Sequence, residues 1–176
     1  MNKILIVIDM QNDFITGPLG TPEARTIVPN VKKKIEDFVA MGYDVLFTQD
    51  THDKYRYPNS HEGRYLPVKH CIPGESGWNI VDGIWRDDWG TKICIFKYAF
   101  GHDWGFTLRR MKDCSEIWLI GVCTDICVIS NALDIRTSYP EIDIIVDASC
   151  CAGTTPEKHK AALEVMKSCH IDIINE

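Results

Sequence analysis

Two periods of hydrophobic pattern alternate along the chain. Short, nearly continuous apolar runs mark buried strands at residues 3–9, 44–50, 92–96, 117–122, 142–147 and 171–174. In the first, Ile4 to Ile8 are unbroken, as in a parallel strand covered on both faces. Between these runs the apolar residues recur at helical spacing. Residues 27–41 put Val28, Val31, Ile35 and Val39 on one face and leave Lys32, Lys33 and Lys34 largely outside. Residues 102–112, the segment after Thr124 as far as Ser138, and residues 156–168 read as further helices, the last begun by Thr154 or Thr155. Residues 10–23, with Gly17, Pro18, Gly20 and Pro22, read as a loop.

The segment from Glu116 to Arg136 changes period partway. A strand ends at Gly121-Val122, and from Thr124 onward Ile126, Ile129, Ala132 and Leu133 follow helical spacing, with Thr124 or Asp125 suited to cap the helix. Cys127 falls in the opening turn, where unpaired N–H groups and the helix dipole favour a thiolate. A small buried cysteine packing helix on sheet is the plain alternative. Residues 51–91 lack clear periodicity and are rich in aromatics, His, Gly and Pro, with a helical turn or two expected around residues 78–85. So long a loop region in a compact domain points to function.

Strands alternating with helices predict an α/β fold: a doubly wound, mostly parallel six-stranded sheet with helices on both faces, in one domain over residues 1–176. Ligands of such sheets sit beyond the carboxyl ends of the strands. Asp9, Asp50 and Lys97 close the first three strands and Cys127 follows the fourth, so all four are expected at one edge.

A net charge of -6 without a Lys/Arg block argues against nucleic-acid binding. The apolar start is too short for a signal peptide and no stretch is long enough to span a membrane. A soluble, cytoplasmic protein is expected, with its eight cysteines as free thiols.

Asp9, Lys97 and Cys127 together supply what acyl transfer by a thiol needs: a nucleophile, a cation beside it and a carboxylate to carry the proton. Each alone has an ordinary structural explanation; their joint placement at strand ends does not. Asp50 and His52, with His70 further on, form a second constellation suited to Zn, Mn or Fe, to which His61 or Glu62 could add a ligand.

Residues 8–14 (IDMQNDF), 48–52 (TQDTH), 66–71 (LPVKHC), Phe96-Lys97 and 121–128 (GVCTDICV) closely resemble the isochorismatase-like cysteine hydrolases, and the Asp50, His52 and His70 set resembles their nicotinamidase/pyrazinamidase branch. The resemblance implies Cys127 as nucleophile, Asp9 as general acid/base and Lys97 as the cation that orients Asp9. It implies a cis peptide at Val122-Cys123 and an oxyanion hole from the N–H groups of Cys123 and Cys127. It further implies a divalent ion, zinc foremost, on Asp50, His52 and His70. Glu62 is favoured over His61 as fourth ligand, from the spacing in carboxylate-type members. Leu66-Pro67 stands where many members carry Trp-Pro, and Tyr98-Ala99 follows Lys97 where small residues are common. Phe14, with Phe100 or Trp104, is then expected to wall the substrate pocket. The implied reaction is deamidation of nicotinamide and pyrazinamide through a thioester, in a homo-oligomer that takes a small amide. Another small amide, carbamoyl or ureido substrate is the alternative, and a non-catalytic binding or redox module the alternative from another class.

Overall fold

The computed structural model describes residues 2–86, 92–110 and 114–176. Six parallel strands form one sheet: β1 (Asn2–Ile8), β2 (Asp44–Asp50), β3 (Lys92–Lys97), β4 (Cys114–Val122), β5 (Asp143–Ala152) and β6 (Asp172–Ile174), in the order β3-β2-β1-β4-β5-β6. The order reverses direction between β1 and β4, so the crevice beyond their carboxyl ends is the switch point. Asp9 follows one of these strands and Cys127 the other.

Alternation along β1 divides its run between two cores. Ile4, Ile6 and Ile8 face the layer containing α5 (Trp104–Thr107), α6 (Ile129–Ser138) and α7 (Pro156–Ser168). Leu5 and Val7 face α3 (Val28–Ala40), which buries Val31, Ile35 and Phe38. Helices therefore cover both faces, which is why β1 needs apolar residues at every position. Truncating any of these isoleucines to alanine would cost about 2–5 kcal/mol.

Gly121 sits at the switch with a φ of 121°, paired in register with Ile8. A Cβ there would collide with the Ile8 carbonyl, so a side chain would push β4 off β1 at the point where the site is assembled.

Several expected boundaries move. The segment after Asp9 contains two short helices, α1 (Asn12–Ile15) and α2 (Pro22–Thr26), the second capped by Thr21 and carrying Pro22 in its first turn. The strand expected at 142–147 continues to Ala152. It passes through a register shift against β4, where the Asp147 carboxylate accepts from the Ser149 backbone and hydroxyl. Within residues 51–86 lie the 3-10 turns Tyr57–Asn59 and Ser76–Trp78 and the helix α4 (His61–Tyr65). The expected turns around 78–85 therefore fall slightly earlier, and residues 87–91 lie outside the described residues. The helix expected at 102–112 is α5 plus the 3-10 turn Leu108–Arg110, and residues 111–113 lie outside the described residues.

Neither Thr124 nor Asp125 caps the helix after β4. Cys123 holds that position without a side-chain cap, and Thr124–Val128 form a π-helical turn leading into α6. The two polar side chains are engaged elsewhere. Thr124 Oγ1 meets His159 Nδ1 at 2.8 Å, and the Asp125 carboxylate accepts from Thr154 N (2.7 Å) and Thr154 Oγ1 (2.6 Å). These bonds tie the turn that carries Cys127 to the start of α7. No described helix is long and apolar enough to cross a membrane.

Candidate active site

The strand ends bring Asp9, Lys97 and Cys127 together in the interior. Asp9 leaves β1 with a φ of 48°, in the left-handed region that Asp enters more readily than most residues. The Thr48 hydroxyl, on neighbouring β2, accepts from Asp9 N (3.1 Å) and donates to Asp9 Oδ1 (2.6 Å). Lys97 Nζ lies 2.8 Å from Asp9 Oδ2, with both side chains fully excluded from solvent. Oδ2 makes no well-aligned hydrogen bond, so an acceptor lone pair remains beside the ammonium. The second Lys97 contact is a 3.2 Å hydrogen bond donated to Ala99 O.

Cys127 is 6% exposed, in the π-helical turn. Burial pushes its thiol well above the ordinary range, the Asp9 charge adds to this, and Lys97 opposes both. Burial thus works against the thiolate that a helix terminus was expected to favour. Here desolvation outweighs the dipole. Burial likewise pushes Asp9 up against the pull of Lys97. For Lys97, burial favours the neutral amine, but Asp9, Cys127 and Asp50 together raise it and keep it charged. The peptide Val122-Cys123 is cis.

The second constellation also assembles. Ligand atoms of Asp50, His52, Glu62 and His70 lie within 4.8 Å of one another. His52 Nε2 is 2.9 Å from Asp50 Oδ2 and 3.6 Å from Glu62 Oε1; His70 Nε2 is 3.5 Å and 3.7 Å from the same two oxygens. With metal–ligand bonds of about 2.1 Å, cis or tetrahedral ligands sit about 3.0–3.4 Å apart, close to this spacing. Two details fit an ion. Buried His52 Nε2 has no hydrogen-bond partner, and His70 Nδ1 lies 2.9 Å from Val68 O, an acceptor that places the proton on Nδ1 and leaves Nε2 as a ligand. His61 turns away, with Nδ1 3.3 Å from Arg64 and its ring against Tyr65. Of the two residues weighed for the fourth position, Glu62 is the one in the cluster.

Burial pushes Asp50 up, yet the His52 and His70 imidazoles, 2.9 Å and 3.5 Å from its Oδ2, and the Lys97 charge hold it well below the carboxylate range. His70 is raised, since Asp50, Val68 and Glu62 outweigh burial. Burial is the largest influence on Glu62 and raises it.

The sequence reading missed the residues that hold this cluster. Gln11 brackets Asp50, accepting from Asp50 N (2.7 Å) and donating to Asp50 O (3.0 Å), while its Nε2 also meets Trp78 O at 2.9 Å. Asp13 accepts from Cys71 N at 2.7 Å, fixing the residue beside His70. The Tyr57 ring packs 4.7 Å from the His52 ring and 5.2 Å from His70, and its hydroxyl donates to Leu66 O. The available signal was polarity: Gln11 and Thr48 are fully buried polar residues at the ends of apolar runs.

The three aromatic residues expected to wall a pocket part company. Phe14 stays beside the cluster, its ring 5.5 Å from His70. Phe100 is 46% exposed. Trp104 is fully buried in the core and donates its indole N–H to Asn131 Oδ1 at 2.7 Å, so it offers no surface to a ligand. A wide aromatic side chain after Lys97 reads as lining from sequence; in the structure the packing of α5 on α6 claims it.

Asp9, Lys97 and Cys127 thus gather at the switch point of a 3-2-1-4-5-6 parallel sheet, with the cluster of Asp50, His52, Glu62 and His70 at the same end of the strands. The chain belongs to the isochorismatase family, whose isochorismatase domain model matches residues 3–175. It is similar to a protein of Arabidopsis thaliana described as a probable inactive nicotinamidase (31% identity; 95% of this chain, 89% of the relative). Its fold is similar to crystal structures of nicotinamidase PncA from Bacillus subtilis (TM-score 0.85, 28% identity, 99% and 100% of the two chains) and of Pyrococcus horikoshii pyrazinamidase in complex with zinc (TM-score 0.84, 27% identity, 100% of both). Within the family it is nicotinamidase-like.

Proposed function

We propose that the protein deamidates nicotinamide, and pyrazinamide with it, to the acid and ammonia through a thioester on Cys127. The observation that carries this reading is the buried Lys97–Asp9 pair at the switch point, close enough for its charges to act on the Cys127 thiol. Its resemblance to nicotinamidase and pyrazinamidase structures supplies the substrate class.

In the proposed cycle the Asp9 carboxylate takes the Cys127 proton as sulfur attacks the amide carbon. The N–H groups of Cys123 and Cys127 are the proposed donors to the oxyanion. Asp9 then gives its proton to the departing nitrogen, which leaves as ammonia. A water deprotonated by Asp9 next attacks the thioester carbon, releasing the acid and returning the proton to sulfur. Lys97 stays cationic throughout and keeps Asp9 from holding its proton too tightly.

Asp50, His52, Glu62 and His70 are the proposed holders of a divalent ion, zinc foremost, which would bind the pyridine nitrogen and polarise water when present. Phe14 would pack the ring against this corner.

The test is intact-mass analysis of protein quenched in acid during turnover of nicotinamide. A nicotinoyl adduct on the Cys127 peptide, absent in Cys127→Ala, is the expected result. Ammonia release with no adduct on Cys127 under any quench, together with an active Cys127→Ala variant, would refute the mechanism. Turnover of a carbamoyl amide but not of nicotinamide would move the substrate.

A further inference from the structure

Asn131 is a fully buried polar residue on the sheet-facing side of α6, among Trp104, Val128, Ala132 and Ile135. Packing alone would be served as well by an apolar residue of the same size, so the amide requires an explanation. Its hydrogen bonds supply one. Asn131 Nδ2 donates to Cys127 O at 2.7 Å and to Phe100 O at 2.9 Å, and Oδ1 accepts from Trp104 Nε1 at 2.7 Å. Both donors are used, and the indole fixes which way the amide faces.

The two carbonyls belong to different parts of the site. One is the nucleophile's own. The other is in the turn that follows β3, whose neighbouring carbonyl, Ala99 O, accepts from the Lys97 ammonium at 3.2 Å. One side-chain amide thus joins the turn carrying the thiol to the loop that receives the cation.

We infer that Asn131 is a positioning residue which holds the loop around Lys97 in register with the Cys127 turn, with Trp104 as its anchor. The inference rests on the cysteine-hydrolase reading and adds to it a residue that touches no reacting atom. A shift of the loop by a fraction of an ångström moves the ammonium relative to both Asp9 and the sulfur. Displacements near 1 Å in catalytic geometry cost about a hundredfold in rate.

The test uses Asn131→Leu, which keeps the branched shape and removes all three bonds, and Trp104→Phe, which keeps a ring, removes the anchor and trims a buried side chain. Both are measured for steady-state turnover of nicotinamide, for alkylation of Cys127 by iodoacetamide read by peptide mass, and for thermal unfolding. For Asn131→Leu, kcat is expected to fall about tenfold to a hundredfold with KM unchanged. Trp104→Phe should show a smaller loss of the same form, and it carries the test alone if the first variant does not fold. The alkylation rate separates positioning from packing. A merely loosened core exposes the thiol and speeds alkylation, whereas displacement of Lys97 and Asp9 slows it. Slower alkylation in folded variants supports the inference; unchanged or faster alkylation, or unchanged kcat, overturns it. A wild type that does not turn over nicotinamide with zinc in excess would overturn the inference and the proposed function together. A reactive Cys127 that Trp104→Phe and Asn131→Leu leave unaltered would overturn the inference alone.

Discussion

Lys97 Nζ reaches Asp9 Oδ2 at 2.8 Å although β2 lies between their strands, and neither side chain has contact with solvent. Burying two charges is expensive, and removing one partner leaves the other uncompensated at a cost of about 3–5 kcal/mol. Lys97→Met and Asp9→Leu should each lower stability by that order in urea unfolding. The double variant should recover much of the loss, because no lone charge remains. A double variant as unstable as the sum of the singles would show that the pair is not coupled in this way.

The pH dependence follows from Asp9. Burial raises its pKa above 3.8, and the mechanism requires the unprotonated form to accept the thiol proton. Activity is therefore full above the raised pKa and lost as pH falls through it. The acid limb of kcat/KM, measured with metal in excess, should have its midpoint above 3.8. Lys97→Met removes the charge that opposes the shift and should move the limb further up in the residual activity. A limb at or below the ordinary carboxylate value, or one unmoved by Lys97→Met, would contradict the assignment of Asp9 as base.

The metal-type cluster separates two adjacent residues. Glu62 faces His52 and His70, whereas His61 lies against Arg64 and Tyr65. Glu62→Gln should weaken zinc retention in a competition with a chelator by at least about tenfold, a loss of the size seen when metal-site partners are removed. His61→Ala should leave retention unchanged. The opposite ranking would assign the ligand to His61.

The sheet could be read from the chain because buried parallel strands need apolar residues at every position, and Ile4 to Ile8 satisfy both cores at once. The gathering of Asp9, Lys97 and Cys127 at one edge of the sheet could be read because the first two close strands and the third lies in the turn after β4. The extension of β5 to Ala152 could not, since Asp147 and Ser149 look like a loop until their mutual hydrogen bonds are seen. Nor could the uses of Thr124 and Asp125, good capping residues that bond instead to His159 and Thr154. Trp104 was misplaced for a related reason: composition does not say whether an aromatic residue faces a pocket or a helix. Gln11, Thr48 and Asn131 act through partners 27 or more residues away, apart from the bond from Asn131 to Cys127, and such pairings appear only once the chain is folded. The short helices capped by Thr21 and Ser60 were missed, because they lie within segments that Gly and Pro mark as loop.

The most direct test of the central claim is ammonia release from nicotinamide by the purified protein, compared with Cys127→Ala and with protein stripped by a chelator and reloaded with zinc. The account predicts release by the wild type, its loss in Cys127→Ala with the fold intact, and loss on stripping with recovery on reloading. A wild type that releases no ammonia with zinc in excess would contradict the proposed activity, and release undiminished in Cys127→Ala would contradict the role of the thiol.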